Sequence, residues 1–256
     1  MGDACASYLT DVFGAYGVGL GDFDLRGARV LDVGAGGRYE IGGAFLDAGA
    51  AEVVCVDRFV APPSGDPRIR VIEADVGSGD WAVELAESFD VAVSWVALQQ
   101  VRDIGVALSA VDRLLRPGGR AVHKLDLTGQ SRLLARLAFG HPLAYLAIPE
   151  PLYRIGDGGR RPNRSRIGAY RAAFEDLGYA VEIRVEGVLG RDVRGVAGAP
   201  WTDADVRRVR RARRFLRRPF RQASDEDLLV TNAMAIATKP TSPGSAPRAA
   251  LIAGST

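Results

Sequence analysis

Residues 30–43 read VLDVGAGGRYEIGG. An apolar strand ends at Asp32 and Val33, glycines follow at 34, 36 and 37, and a helical pattern starts near Glu40. Glycines at such a turn let the backbone fold tightly and approach a ligand closely. Asp57 stands 21 residues past Gly36, closing VVCVDR at the tip of a second apolar run, with Arg58 after it. VIEADV then carries Asp75 and Val76 to the tip of a third. A carboxylate at the second tip can accept both hydroxyls of a ribose, and one at the third can accept the exocyclic amine of an adenine. A lone glycine turn is common, and a lone Asp at a strand end is usually a helix cap. The three in order predict a nucleoside cofactor.

The glycine spacing narrows the choice of cofactor. A dinucleotide site wants G-x-G-x-x-G, whose third glycine lets the helix pack beneath a pyrophosphate. Counted from Gly34 and Gly36, that position is Tyr39. Asp32 also sets a negative charge beside the loop, which suits a cationic ammonium better than a pyrophosphate.

Outward from this loop, short apolar runs alternate with helical patterns, the rhythm of a parallel sheet wound with helices. Strands are predicted over 28–33, 51–57, 68–75, 89–96, 120–127, 179–185 and 228–238, and helices near 40–49, 79–88, 103–116 and 166–177. VLDV, VVCV and VAVSWV are nearly unbroken apolar runs, as in strands buried on both faces. Pro117-Gly118-Gly119 should end one helix and start the next strand, and Ser165 is a candidate N-cap. The expected organisation is a single domain over 1–238, comprising an N-terminal cap (1–27), a cofactor-binding core (28–127) and substrate-side insertions at 128–165 and 187–227. A Pro/Ser/Ala/Gly-rich disordered tail follows at 239–256.

The glycine segment resembles motif I, D-x-G-x-G-x-G, of the class I S-adenosylmethionine-dependent methyltransferases; the third glycine of that pattern falls on Arg38, with Gly37 shifted by one. FDVAVSWVALQQVRDIGVALSAVDRLLRPGGRAVHKLDL (89–127) is similar to the fourth-strand, helix and fifth-strand region of these enzymes, and RPNRSRIGAYRAAFEDLGY (161–179) to the distal part of bacterial small-molecule members. The resemblance implies a Rossmann-like α/β fold, with seven mainly parallel strands, helices on both faces and the last strand antiparallel. It implies S-adenosylmethionine as cofactor. Gly34, Ala35 and Gly36 would line its methionine moiety and Asp32 would act through its network toward the ammonium. Asp57, with Arg58 beside it, would hold the ribose, Asp75 and Val76 would contact the adenine, and Ser94 and Trp95 would sit beside the sulfonium. The sequence departs from relatives where Trp95 replaces a polar residue, Gln99-Gln100 replace a Glu-His pair, and Gln130 stands in a D-L-x-D-H-like stretch. An amide cannot serve as a base at neutral pH. Either the nucleophile is already deprotonated, or the base lies elsewhere, or methyl transfer has given way to a cyclisation or rearrangement.

For transfer from a sulfonium, proximity and in-line geometry do most of the work. Titratable candidates for a catalytic role are His141 in the first insertion, Asp126 at the tip of the fifth strand and His123 within it, with Tyr145 and Tyr153 behind them. Two cysteines (Cys5, Cys55) and two histidines exclude a disulfide framework and a multi-histidine metal centre, so no metal is expected. The first 17 residues hold Asp3 and Asp11 and no basic residue; this predicts no secretory leader and a cytoplasmic protein. No apolar run is long enough to span a bilayer.

The net charge of +2 conceals a division: residues 1–150 carry 13 basic and 20 acidic side chains, and residues 151–256 carry 20 and 11. Nine arginines crowd into 207–221. Three readings follow: a solvated helix paired with the acidic half, a grip on a phosphate- or carboxylate-bearing substrate, or RNA binding. Phe215 and Phe220 are the only aromatics within the cluster, and no recognisable appended RNA module accompanies it, which disfavours nucleic acid as a partner. The resulting expectation is methylation of a small molecule, anionic if the arginines meet it, in bacterial specialised metabolism. A homo-oligomer is compatible with the sequence, as is the arginine-driven RNA-binding alternative.

Overall fold

The computed structural model describes residues 2–36, 40–59, 65–85, 89–128, 141–155 and 163–241. Gly37, Arg38, Tyr39, Gln130 and residues 242–256 of the tail, all invoked above, lie outside the described residues. The elements in chain order are α1 (Gly2–Leu20), β1 (Arg29–Val33), α2 (Glu40–Asp47), β2 (Glu52–Asp57), β3 (Ile69–Glu73), α3 (Trp81–Glu84), β4 (Phe89–Trp95), α4 (Ile104–Leu114) and β5 (Leu115–Asp126). Then come α5 (Glu150–Ile155), α6 (Ile167–Asp176), β6 (Ala180–Val188), β7 (Arg191–Asp192), α7 (Asp203–Arg213), α8 (Arg218–Arg221), α9 (Asp225–Leu229) and β8 (Val230–Thr238).

The strands form one sheet in the order β3-β2-β1-β4-β5-β8-β6-β7. β1 to β5 pair in parallel, and β8 runs antiparallel to both β5 and β6. The order reverses between β1 and β4, and such a switch point opens a crevice beyond the strand ends. The sheet has eight strands rather than the seven expected. The additional one, β7, is the second arm of a hairpin with β6, turned by Leu189 (φ 48°) and Gly190 (φ 81°). Two successive positive φ values make the turn whose twist suits a hairpin. A leucine there gives no turn signal in the sequence; its side chain is held in an apolar cluster instead.

Unbroken apolar runs do become two-faced strands. One face of the sheet packs Leu31, Val33, Ala92 and Leu125 against α4 and α6, and the other packs Val30, Val53, Val91 and Val122 against α1 and α2. α1 was not foreseen as a helix. Val12, Tyr16 and Leu20, one helical turn apart, are buried against Phe45 and Ile236, each contributing about 2 kcal/mol on burial. At Gly19 a Cβ would lie 2.5 Å from Val122 Cγ1, so glycine lets the helix approach the sheet. Asp103 caps α4, accepting from the amides of Gly105 and Val106. Ser165 does not cap α6: the helix starts one residue later, and the Asp227 carboxylate accepts from Gly168 N at 2.7 Å.

A third apolar cluster joins the two long connections, through Leu143, Leu146, Tyr153, Val188, Val209 and Leu216. It is tied to the sheet by Arg166, whose guanidinium is 5% exposed. This group donates to the carbonyls of Leu127 (2.7 Å) and Asp227 (2.6 Å), to the carbonyl of Val230 and to the Tyr145 hydroxyl. Removing the donor takes this partner from the Asp227 and Val230 carbonyls, while Leu127 O keeps the Tyr145 hydroxyl; hydrogen bonds from a charged group are each worth about 1.5–3 kcal/mol. Arg166→Met should therefore lower unfolding stability by about 3 kcal/mol in urea titrations; a loss below about 0.5 kcal/mol would show the clamp to be redundant.

Candidate functional site

β1 delivers its glycines directly over the switch point. Gly34 adopts φ +81°, and a Cβ there would stand 2.3 Å from that of Ala97. The loop after β1 therefore rests on the loop after β4, and only glycine permits it. Gly34 N donates to Val56 O, and Gly36 N donates to the Asp57 carboxylate at 2.9 Å. Asp57 also accepts from Phe59 N at 2.8 Å. Each of its oxygens thus takes one backbone donor and keeps lone-pair capacity for a further one. Ala35 is partly buried between these glycines.

Asp32 lies beneath that loop, 2% exposed, and its Oδ2 has no hydrogen-bond partner among the described residues. Burial, and then the charge of Asp57, push its carboxyl up to about 7. A buried carboxylate without a partner is costly, and a cation set beside it would relieve that cost. The chain supplies no such cation among the described residues.

Asp75 follows β3 and accepts from Gly77 N at 2.8 Å. It lines a cavity of about 900 Å³ whose other walls include Arg58, Arg102, Tyr153, Arg164 and Arg217. Arg58 lies 5.0 Å from the Phe59 ring centre. Val76 turns inward, its side chain 8% exposed in the core. Arg164, which carried no role in the sequence, is held between the Tyr153 and Phe220 rings (4.6 and 5.1 Å) and donates to Ile148 O and the Glu150 carboxylate. Only its recurrence among closely spaced arginines marked it in advance.

A second cavity, of about 740 Å³, lies between α1 and the ends of β4, β5 and β6, and contains Trp95, Lys124, Glu186 and Asn232. Trp95 packs edge-on against Tyr16. Lys124 pairs with Glu186 and stands 5.8 Å from the Trp95 ring centre. Neither charged residue could be singled out from sequence, because strand register brings them together.

The other candidates separate. Ser94 is fully buried, its hydroxyl 2.8 Å from His123 Nδ1; β4–β5 register sets the two side by side. His123 is fully buried against Phe174, and burial drives it down to about 3. It is neutral at physiological pH and has no accessible surface through which to exchange a proton with a substrate. The structure therefore makes His123 a core residue and turns the Ser94 side chain away from the crevice. Asp126 sits at the end of β5 and accepts from the backbone and hydroxyl of Thr128 (2.9 and 2.5 Å). Tyr145 donates to Leu127 O at 2.6 Å, and burial raises its hydroxyl pKa. His141 lines a third cavity, beside α7, and shares none of the lining of the other two. No cluster of metal-ligating side chains occurs among the described residues, and no described helix is long and apolar enough to cross a membrane.

A family model described as a methyltransferase domain matches residues 9–182. No curated protein matches the chain. Among solved structures, an S-adenosylmethionine-dependent methyltransferase from Mesorhizobium loti is similar at 21% identity, over 84% of this chain and 93% of that one, with a TM-score of 0.51. Phosphoethanolamine N-methyltransferase 2 of Haemonchus contortus, in complex with phosphomonomethylethanolamine and S-adenosylhomocysteine, is similar at 15% identity, over 90% of this chain and 52% of that one, with a TM-score of 0.55. The same enzyme in complex with S-adenosyl-L-methionine gives 16% identity, 90% and 52% coverage, and a TM-score of 0.54.

The raised carboxyl of Asp32 has a measurable consequence. Its folded pKa of about 7 lies above the ordinary value of about 3.9, so the folded ligand-free chain holds the proton more tightly than the unfolded one. Stability should fall as pH rises from about 4 to about 7, by up to roughly 4 kcal/mol. Asp32→Asn should flatten this fall in melting curves taken across that window; an unchanged slope would place the titration elsewhere.

Proposed function

The chain belongs to the class I S-adenosylmethionine-dependent methyltransferases, and from that premise we propose that it methylates a small anionic molecule, as part of small-molecule biosynthesis. The observation that carries the site is the unpartnered, buried Asp32 beneath a glycine loop tied to Asp57. S-adenosylmethionine, the family's methyl donor, supplies a methyl group on a positively charged sulfur. The residues present fit it: a buried acid awaiting a cation, a loop open to close approach, and two carboxylates at successive strand ends. Asp32 would answer the ammonium end, the backbone at Gly34–Gly36 would lie along the methionine part, Asp57 would take the ribose hydroxyls, and Asp75 the adenine amine. Val76 would contribute through its backbone only, since its side chain is in the core.

The acceptor reading rests on the cavity that begins at Asp75. Arg58, Arg102 and Arg217 line it, and guanidinium groups grip phosphate and carboxylate oxygens in pairs. Its acid Glu150 is already engaged with Arg164. The phosphate-bearing ligand of the Haemonchus contortus enzyme supports the same class. No histidine lines this cavity, so positioning carries the chemistry, and the acceptor atom is one that is already an available nucleophile near neutral pH. We assign Asp126 to shaping the end of β5 and neither histidine to proton transfer. The two long connections, packed together in the third apolar cluster, would form the acceptor side of a single domain ending near residue 238.

Calorimetry tests both halves. S-adenosylmethionine and S-adenosylhomocysteine should bind, and Asp57→Ala should weaken either by at least tenfold; binding of neither would sink the proposal. Phosphomonomethylethanolamine or inorganic phosphate, titrated into the S-adenosylhomocysteine complex, should bind at least tenfold more weakly to Arg217→Gln, with cofactor affinity unchanged. Equal binding by the two chains would remove the anionic-acceptor reading and leave the cofactor site standing.

A further inference from the structure

The structure divides the nine arginines of 207–221. Arg210 and Arg213 pair with Asp225 (2.8 and 2.5 Å). Arg221 donates to the carbonyls of Arg214 and Leu216 (3.2 and 3.1 Å), and Arg217 faces the acceptor cavity. Arg207, Arg208, Arg211 and Arg214 do something different: they line a groove of about 890 Å³ between α7 and the turn at Ala144–Ala147. Its accessible apolar lining is the half-buried Ala144, Ala147 and Ala212, with Leu143 and Leu216 buried behind them.

No acidic side chain lines this groove among the described residues. Asp205, whose charge Arg208 reaches, is already engaged by Thr202 in the capping box and by Arg191 at 2.8 Å. Four arginines line this apolar hollow and repel one another, and an anion entering among them offsets that repulsion and forms charge-assisted hydrogen bonds. An anion alone gains nothing from the floor. The volume matches pockets that enclose small ligands, which typically occupy about 300–1,000 Å³.

We propose that this groove binds a monomeric amphiphilic anion, a molecule with an aliphatic body and a carboxylate or phosphate head. The body lies on Ala144, Ala147 and Ala212, and the head meets Arg208 and Arg211. A flat bilayer cannot reach a floor this recessed. An RNA strand would need open aromatic faces, and the one exposed ring here, Phe215 at 66%, already carries the Arg214 guanidinium 4.6 Å from its centre. His141 stands on the wall, its pKa lowered by burial and by Arg208, which makes it a reporter. The other histidine, His123, is locked in the core, so His141 is the histidine that lines the groove.

The test titrates the full chain with decanoate, decyl phosphate, decanol and inorganic phosphate, reading the His141 ring resonance and calorimetric affinity. Decanoate and decyl phosphate should saturate and shift His141, with decanol and phosphate each at least tenfold weaker. Arg208→Gln/Arg211→Gln should lose tenfold or more for decanoate while keeping wild-type affinity for S-adenosylhomocysteine, which separates this site from the cofactor site. Ala147→Trp, filling the floor, should abolish decanoate binding. Decanol binding as well as decanoate, affinity surviving both variants, or association only with phosphatidylglycerol vesicles or RNA would each overturn the proposal.

Discussion

The guanidinium of Arg166 sits where β5 and β8 part. Their ladder runs to the pair Asp126–Asn232, and beyond it Leu127 N still reaches Thr231 O. The carbonyls of Leu127 and Val230 lie past that pair, and Arg166 donates to each, beside the Tyr145 hydroxyl on Leu127 O. A buried backbone acceptor must be paired, so the sheet can open at this end only because a charged side chain from the neighbouring connection closes the account. The same group reaches the Asp227 carbonyl at the start of α9 and the Tyr145 hydroxyl in the first connection. Lysine could not replace it: a point charge with three donors cannot span four acceptors from four segments in one plane.

Charge follows that seam. The acids that matter for the cofactor, Asp32, Asp57 and Asp75, come from three successive strand ends of the first half. Arginines of the second half split between internal struts and the walls of cavities. Arg166 is buried and held by carbonyls and a hydroxyl, and Arg164 is half-buried between aromatic faces on the wall of the cavity that Arg102 and Arg217 also line. Counting arginines therefore says little about partners until their hydrogen bonds are assigned. Within 207–221, Arg210 and Arg213 pair with Asp225 of the same basic half and Arg221 with backbone carbonyls, so none of these three pairs with the acidic half.

The sheet and the glycine loop were legible because their signals are local: apolar runs bounded by turn residues, and carboxylates at the run ends. α1 was not, because Gly14, Gly17 and Gly19 break a helical reading and its buried stripe gains meaning only against β5 and β8. Tertiary packing overrides propensity there. Ser94 and His123 misled for a related reason. Position along a strand says which end is near the crevice, but pairing in register decided that they bond to each other in the core. His141, a catalytic candidate by its place in the first insertion, lines the cavity beside α7. These are long-range facts, and no window of sequence contains them.

The amide at Gln99, where the family resemblance implies an acid, finds its reason in the backbone. Val96, at the end of β4, adopts φ 55°, a costly conformation for a β-branched residue, on the order of 1–3 kcal/mol. Two hydrogen bonds hold it: Val96 N donates to Lys124 O at 3.1 Å, and Gln99 Nε2 donates to Val96 O at 2.6 Å. Gln99 is 3% exposed. A carboxylate there would set a second acceptor against the Val96 carbonyl and bury an unpaired charge. The substitution that removes a possible base thus supplies the donor that fixes a strained turn beside Ala97, the residue on which Gly34 rests. The glycine loop owes its position to that contact, so the amide serves the cofactor crevice through the backbone it holds.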